Sequence, residues 1–294
     1  MAMNIGLGLA LVSAVCFAAA QVVNRKGLYH TNTALGTIFI TVPLGMIYFA
    51  ILIFTTGQYK ALLYLPGHVY LLLGLIGIIN FIGGRLLNYT GVQLLGANRN
   101  STLVRTSPLW SVTMGILILG ETINLIDIFG IIMVIGGAAL VSFKREKQEQ
   151  AMHVKGVIAG LGGALLYATG AVLIRVAVGE LDSIIAAVFV SFIVPTIVLG
   201  CLLSGEYFRR QLFQLKRSAL IPFLIGGTLS AAAQYFRFSA LDYVQVSIVE
   251  PVMSINAILI LVFSYFFNRR IEIFSLRVIV AIMLSAIGVA MIFM

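Results

Sequence analysis

Gly115–Gly137, GILILGETINLIDIFGIIMVIGG, closes one apolar run, turns at Gly120-Glu121 and opens another that carries Gly136 and Gly137. The same design returns in Phe266–Gly288, FFNRRIEIFSLRVIVAIMLSAIG, with Glu272 at the turn and Gly288 behind it. Nearer the start, Gly6, Ala14, Phe17 and Arg25 match Gly156, Ala164, Tyr167 and Arg175 at an offset of 150. The chain therefore reads as a duplication, with residues 1–150 and 151–294 as two related halves. An odd number of spans per half puts its end on the opposite side from its start, so the copy enters the membrane inverted. Inverted repeats of this kind are a working architecture of secondary transporters, with the substrate held near the midplane.

Composition points the same way. The chain is 61% hydrophobic and 10% charged, with a mean hydropathy of +1.08. A soluble domain carries about 25% charged residues, so this surface requires a lipid bilayer as partner. The net charge of +9 sits in short connections between spans, which suits membrane orientation rather than nucleic acid. The first apolar run, Met3 to Asn24, is too long for the apolar core of a signal peptide. Cys16 and Cys201 lie in separate apolar spans, and His30, His68 and His153 in predicted loops, so neither a disulfide, a metal site nor any cofactor is expected.

A bilayer core about 30 Å thick takes about 20 residues of helix. That template predicts an all-α integral membrane protein of ten transmembrane helices, as two inverted five-helix repeats. The spans are placed at about 4–24, 34–56, 69–89, 97–119 and 126–143, then 156–177, 184–204, 219–239, 243–267 and 274–294. Lys144–Lys155 is a solvated linker between the halves, and very short turns fall near Thr90–Gly96 and at Leu241-Asp242. Fifteen lysines and arginines, Arg25, Arg85 and those of the linker among them, belong to one side. The other side holds Lys60, Arg175 and Arg237. The positive-inside rule then puts the linker in the cytoplasm and both termini outside.

Charged groups within spans are costly and generally face a cavity. Arg105 in span four and Glu250 in span nine lie at similar depths of equivalent helices. Asn98, Ser101 and Arg105 share a helix face, as do Ser247, Glu250 and Ser254, and Asn256 adds an amide near the place equivalent to Arg105. Pro108 and Pro251 remove backbone donors and are expected to leave carbonyls free for a ligand. Two readings stand side by side. Arg105 holds a carboxylate or phosphate through its fork while Glu250 takes an ammonium group or the coupling proton, or the two charges simply pair and fix helix packing.

Weaker stripes are Asn80 with Asn88 in span three, Ser230, Gln234 and Arg237 in span eight, and Gln21 with Asn24 in span one. Each reads either as packing glue between helices or as cavity lining, with Gln21 and Gln234 preferred as lining. Trp110, Tyr167 and Tyr235 are candidate stacking groups, against the plainer reading as packing or interfacial aromatics. Glu121 and Glu272 are expected to cap the first turn of the helix that follows each.

Asn88–Thr122, NYTGVQLLGANRNSTLVRTSPLWSVTMGILILGET, resembles the signature of the EamA type of the drug/metabolite transporter superfamily. The resemblance lies in the short turn after span three, the proline in span four (Pro108) and the Gly120-Glu121 pair beyond it. The second half follows less closely, with Pro251 earlier in its helix and Glu272 preceded by Asn268-Arg269-Arg270. The resemblance implies ten helices in two inverted bundles and a cavity lined by spans 1, 3, 4, 6, 8 and 9. It also implies cytoplasmic termini, against the charge count.

The expected function is secondary transport of a small polar or amphiphilic metabolite across the cell membrane by alternating access. Export is favoured, an amino-acid-like zwitterion suits the two charges, and proton coupling would run through Glu250. Multidrug export of lipophilic cations is the alternative, disfavoured by Arg105, and a scaffold or scramblase is the non-transport rival. An enzyme is not expected, because acid-base, nucleophilic or metal-binding residues do not gather at one depth. No GxxxxGK[ST] loop for ATP is present. Either a monomer or a homodimer fits.

Overall fold

The computed structural model describes residues 2–28, 35–95, 100, 103–142, 154–213, 215, 217–267 and 276–293. Among these residues there are helices and turns and no strand. The first half contains α1 (Ala2–Leu28), α2 (Leu35–Thr55), a short α3 (Tyr59–Leu63), α4 (Gly67–Gly77), α5 (Gly84–Leu95), α6 (Ser107–Leu119) and α7 (Leu125–Ser142). The second contains α8 (Val154–Val178), α9 (Ile184–Leu202), α10 (Glu206–Phe213), α11 (Arg217–Tyr243), α12 (Val246–Met253), α13 (Asn256–Phe267) and α14 (Leu276–Ile292). Six helical stretches are long and apolar enough to cross a membrane, and Ser107–Leu119, Leu125–Leu140, Val246–Ile260 and Ile279–Ile292 are shorter apolar helices. The chain is a multi-pass membrane protein.

Three helices depart from the regular spans expected. Span three runs to Leu95, through the segment predicted as a turn, and carries a π-helical stretch at Ile78–Gly83 that joins α4 to α5. Such wide turns change which side chains face inward and often mark functional sites. Here the stretch carries the buried Asn80 and Phe81, and Phe81 stacks on Phe192 at 4.4 Å. Spans four and nine each break at the corresponding place, at Arg105–Thr106 before α6 and at Ser254–Ile255 between α12 and α13.

The broken turns are tight. Thr106 N–H donates to the Leu103 carbonyl at 3.0 Å, and Ile255 N–H to that of Val252 at 3.2 Å. Pro108 therefore lies at a helix start, where a missing N–H costs little. The Pro251 carbonyl is occupied, accepting from both the N–H and the hydroxyl of Ser254.

The most extensive packing runs between the halves rather than within them. α1 lies along α11 as α8 lies along α5, α6 packs on α8 as α12 and α13 pack on α1, and α2 packs on α11 as α9 packs on α4. The remaining large contacts, α2 with α9, α7 with α14, and α6 with α12 of spans four and nine, join each span to its own repeat counterpart. Exchanging the halves maps this contact pattern onto itself.

Small residues let the backbones approach. A Cβ at Gly6 would collide with Val244, and one at the related Gly156 would lie 2.6 Å from Leu95 Cγ. α7 and α14 cross at Gly130 and Gly288, where a Cβ on Gly288 would come within 2.6 Å of the Gly130 carbonyl oxygen.

Candidate functional site

A cavity of about 540 Å³ lies between the halves. Its wall is built from α1, the π stretch with α5, the turn before α6, α8, α11 and the α12–α13 break, and Thr37 of α2 adds a hydroxyl. Of the residues singled out in the sequence, Gln21, Asn80, Asn88, Arg105, Tyr167, Gln234, Glu250 and Asn256 all line it. Phe17 and Tyr167 are repeat counterparts and both face it, as are Asn80 and Ser230. Asn98 and Ser101 lie outside the described residues, as does Glu272.

Two expected residues lie elsewhere. Trp110 is 41% exposed on the outer face of α6, consistent with an aromatic turned toward lipid. Tyr235 packs against Phe49 and Phe236 at centroid distances of 6.3 and 5.6 Å, so it belongs to the aromatic packing around α2 and α11. A helix position alone does not fix the direction of either ring.

The charged wall differs from the expectation in one decisive way. Arg237, assigned by charge counting to a loop-proximal place, is only 6% exposed and sits inside the 27-residue α11. Its Nε donates to Glu250 Oε1 at 2.8 Å, and its Nη2 reaches the Tyr167 carbonyl at 3.5 Å. Glu250 is 8% exposed. The carboxylate is thus paired through Oε1 with Arg237 and not with Arg105. The signal for this was the spacing Ser230, Gln234, Arg237, which places the arginine on the cavity face of its helix.

Several polar atoms on the wall have no hydrogen-bond partner among the described residues. They include both amide atoms of Asn80, Gln234 Oε1, Asn24 Oδ1 and Arg105 Nε. Glycines opposite make room for them. A Cβ at Gly170 would collide with the Asn80 amide, one at Gly226 with that of Asn24, and one at Gly84 would lie 2.7 Å from Tyr167 Cε1. A buried amide left unpaired costs free energy, and the residues that carry these atoms all belong to the wall of the same cavity.

The halves are also tied together outside the cavity, toward the end at which α1 begins. At the end of α6, Gly120 takes the left-handed conformation (φ 65°) and the Glu121 N–H bonds the Gly115 carbonyl at 3.1 Å, which turns the chain back. The Glu121 carboxylate then accepts the backbone N–H groups of Val246 and Ser247 at 2.8 and 2.9 Å. Glu121 was expected to cap the helix that follows it. That task falls instead to Asn124, whose Oδ1 accepts from the Asp127 N–H at 2.8 Å, while Glu121 caps α12 of the other half.

On the same end Arg175 donates to the carbonyls of Leu241 and Asp242, and His68 Nε2 meets Glu180 Oε2 at 2.7 Å. Arg25, the repeat counterpart of Arg175, does something different. It lies exposed at the opposite end and lines the cavity. Among the described residues the cavity lies toward the end at which α1 finishes, next to Gln21 and Arg25.

Comparison with known proteins gives three findings. The model of a family described as the EamA-like transporter family matches residues 4–143 and again 154–294. A curated relative from a Sinorhizobium species, described as an uncharacterized transporter in the cobO 3′ region, is 31% identical over 134 residues. That alignment covers 93% of the relative but 45% of this chain, so the relative is about half as long. A solved crystal structure superposes over 97% of this chain and 95% of its own with a TM-score of 0.78, at 15% identity, a likeness of fold alone.

Proposed function

Because the chain belongs to the EamA-like transporter family, we propose that it is a secondary transporter moving a small polar metabolite by alternating access around the cavity between its halves. In this reading the ten apolar stretches all cross the membrane, and 1–150 and 151–294 form the two inverted repeats. The contact pattern that survives exchange of the halves supports it. The observation that carries the proposal is the cavity of about 540 Å³ between the halves, whose wall holds residues with unpartnered buried polar atoms.

We read the open side as cytoplasmic. The lysine and arginine count still favours it once Arg237 and Arg85, both inside their spans, are removed, at fourteen against two. An inward-open cavity in a cell membrane suits loading of a cytoplasmic solute for export. Glu250 is the carboxylate lining the cavity, so a coupled proton is assigned to it, with release of Arg237 as the consequence.

Export of lipophilic cations is the weaker reading, because four guanidinium groups line the space against one carboxylate. A scaffold or scramblase gives no reason for unpaired buried amides on the wall of a cavity between the halves. The test is counterflow in proteoliposomes across a panel of amino acids, organic acids, sugars and cationic dyes. Saturable counterflow of at least one solute is expected, and its absence across the panel overturns transport.

A further inference from the structure

We infer that the cargo of this cavity is a small organic anion, gripped through carboxylate or phosphate oxygens by Arg105, with Arg85 and Arg25 lining its way in. The inference rests on the transport reading and names the substrate class of the same site.

Charge on the wall carries it. Arg25, Arg85, Arg105 and Arg237 face the cavity with Glu250. Arg237 and Glu250 neutralise each other at 2.8 Å, which leaves three guanidinium groups uncompensated. Among the described residues no carboxylate lies within ion-pair reach of Arg25, Arg85 or Arg105. Arg85 spends one N–H on the Thr41 hydroxyl at 3.1 Å and lies 5.7 Å over the Phe81 ring, keeping its other donors. Arg105 has a buried Nε without a partner and sits at the helix break, deep in the wall.

Unpaired cations inside a membrane protein are costly and are held for a purpose. Three on one wall repel one another and repel any cationic solute, whereas an anion relieves both costs. A guanidinium matches a carboxylate or phosphate with two parallel hydrogen bonds. A zwitterion would satisfy Arg105 but offer its ammonium group only Glu250, whose charge Arg237 already balances. The amides of Asn80 and Gln234, both buried and incompletely paired, serve equally as donors to the anion or acceptors for its hydroxyls. The exposed Arg25 at the mouth gives the entrance the sign that draws anions in.

The experiment uses the full chain in proteoliposomes of phosphatidylcholine alone, so that no lipid headgroup supplies net negative charge. Counterflow is measured with succinate, glycerol phosphate, alanine and putrescine. Saturable counterflow of succinate or glycerol phosphate is expected, with affinity falling about 10- to 100-fold in Arg105→Gln and partly restored in Arg105→Lys. Arg85→Gln, on a different helix, gives a second reading in case Arg105→Gln folds poorly by size exclusion.

Saturable movement of alanine or putrescine but of neither anion overturns the anion assignment and leaves transport standing. Movement of none of the four overturns the anion assignment, and the transport reading falls only if the wider panel is silent too. Unchanged anion affinity in both arginine variants removes them from the site. Loss of succinate counterflow on adding phosphatidylglycerol assigns the cavity's anion to a lipid headgroup and overturns the solute assignment.

Discussion

Replacing Glu121 by glutamine should loosen the latch between the halves at the start of α12. The carboxylate holds two backbone N–H groups of α12 at 2.8 and 2.9 Å, reaching across from the other half of the chain. A glutamine keeps one acceptor and turns an NH₂ donor toward the second N–H. One charge-assisted bond is lost, worth about 1.5–3 kcal/mol, and the remaining one is weakened because the helix N-terminus no longer meets a negative charge. Glu121 is half-buried, so the low end applies: about 1.5 kcal/mol, a shift of about tenfold toward the unlatched form.

A reporter cysteine at Val249, fully buried one turn along α12, reads this opening once Cys16 and Cys201 are replaced. Its rate of reaction with a water-soluble maleimide should rise about tenfold in Glu121→Gln. Gly115→Ala should act alike by a different route, because a Cβ there would collide with Glu121 Oε2. Equal labelling rates in the parent and both variants would refute the latch and leave Glu121 as a static cap.

Arg237→Met should lower stability by about 3–5 kcal/mol, because Glu250 is left buried and unpaired, and adding Glu250→Leu should recover much of the loss. Thermal unfolding in detergent decides this, and equal melting of the single and double variants counts against the pair. Gly77→Ala should destabilise by about 1–3 kcal/mol, since its Cβ would strike the Ser191 carbonyl oxygen and lie 2.8 Å from Pro195 Cδ. A melting temperature equal to the parent's would show that α4 and α9 have room to part. Trp110→Leu should leave transport rates within about twofold, as the ring faces away from the cavity. A larger loss would bring the ring back into the transport path.

The architecture was legible where the cause is local or periodic. Gly120 permits a left-handed turn, so Gly120-Glu121 marked a helix end, and its echo at Glu272 marked the duplication. Gln21, Asn80, Asn88 and Gln234 were legible because amides at helical spacing are costly against lipid, and each lines the cavity. What stayed hidden depends on tertiary placement. A span template of about 20 residues pushed Arg237 to a membrane edge, whereas α11 is 27 residues long and carries it inside. The partner of Glu121 lies 125 residues away in the other half, beyond any local capping rule. The π stretch at Ile78–Gly83 shifts the inward face of span three through a change of backbone register that no residue type announces. The aim of Trp110 and Tyr235 was set by their neighbours on other helices.

The most direct test of a single chamber served in turn from both faces is a cysteine in place of Asn80, at the π stretch of the cavity wall. Sealed vesicles of defined orientation are treated with a membrane-impermeant maleimide from one side or the other during counterflow. Reaction from both sides, with labelling from either slowed by bound solute, is the predicted result. Reaction from one side only, however the solute gradient is set, would make the cavity a blind pocket and contradict alternating access.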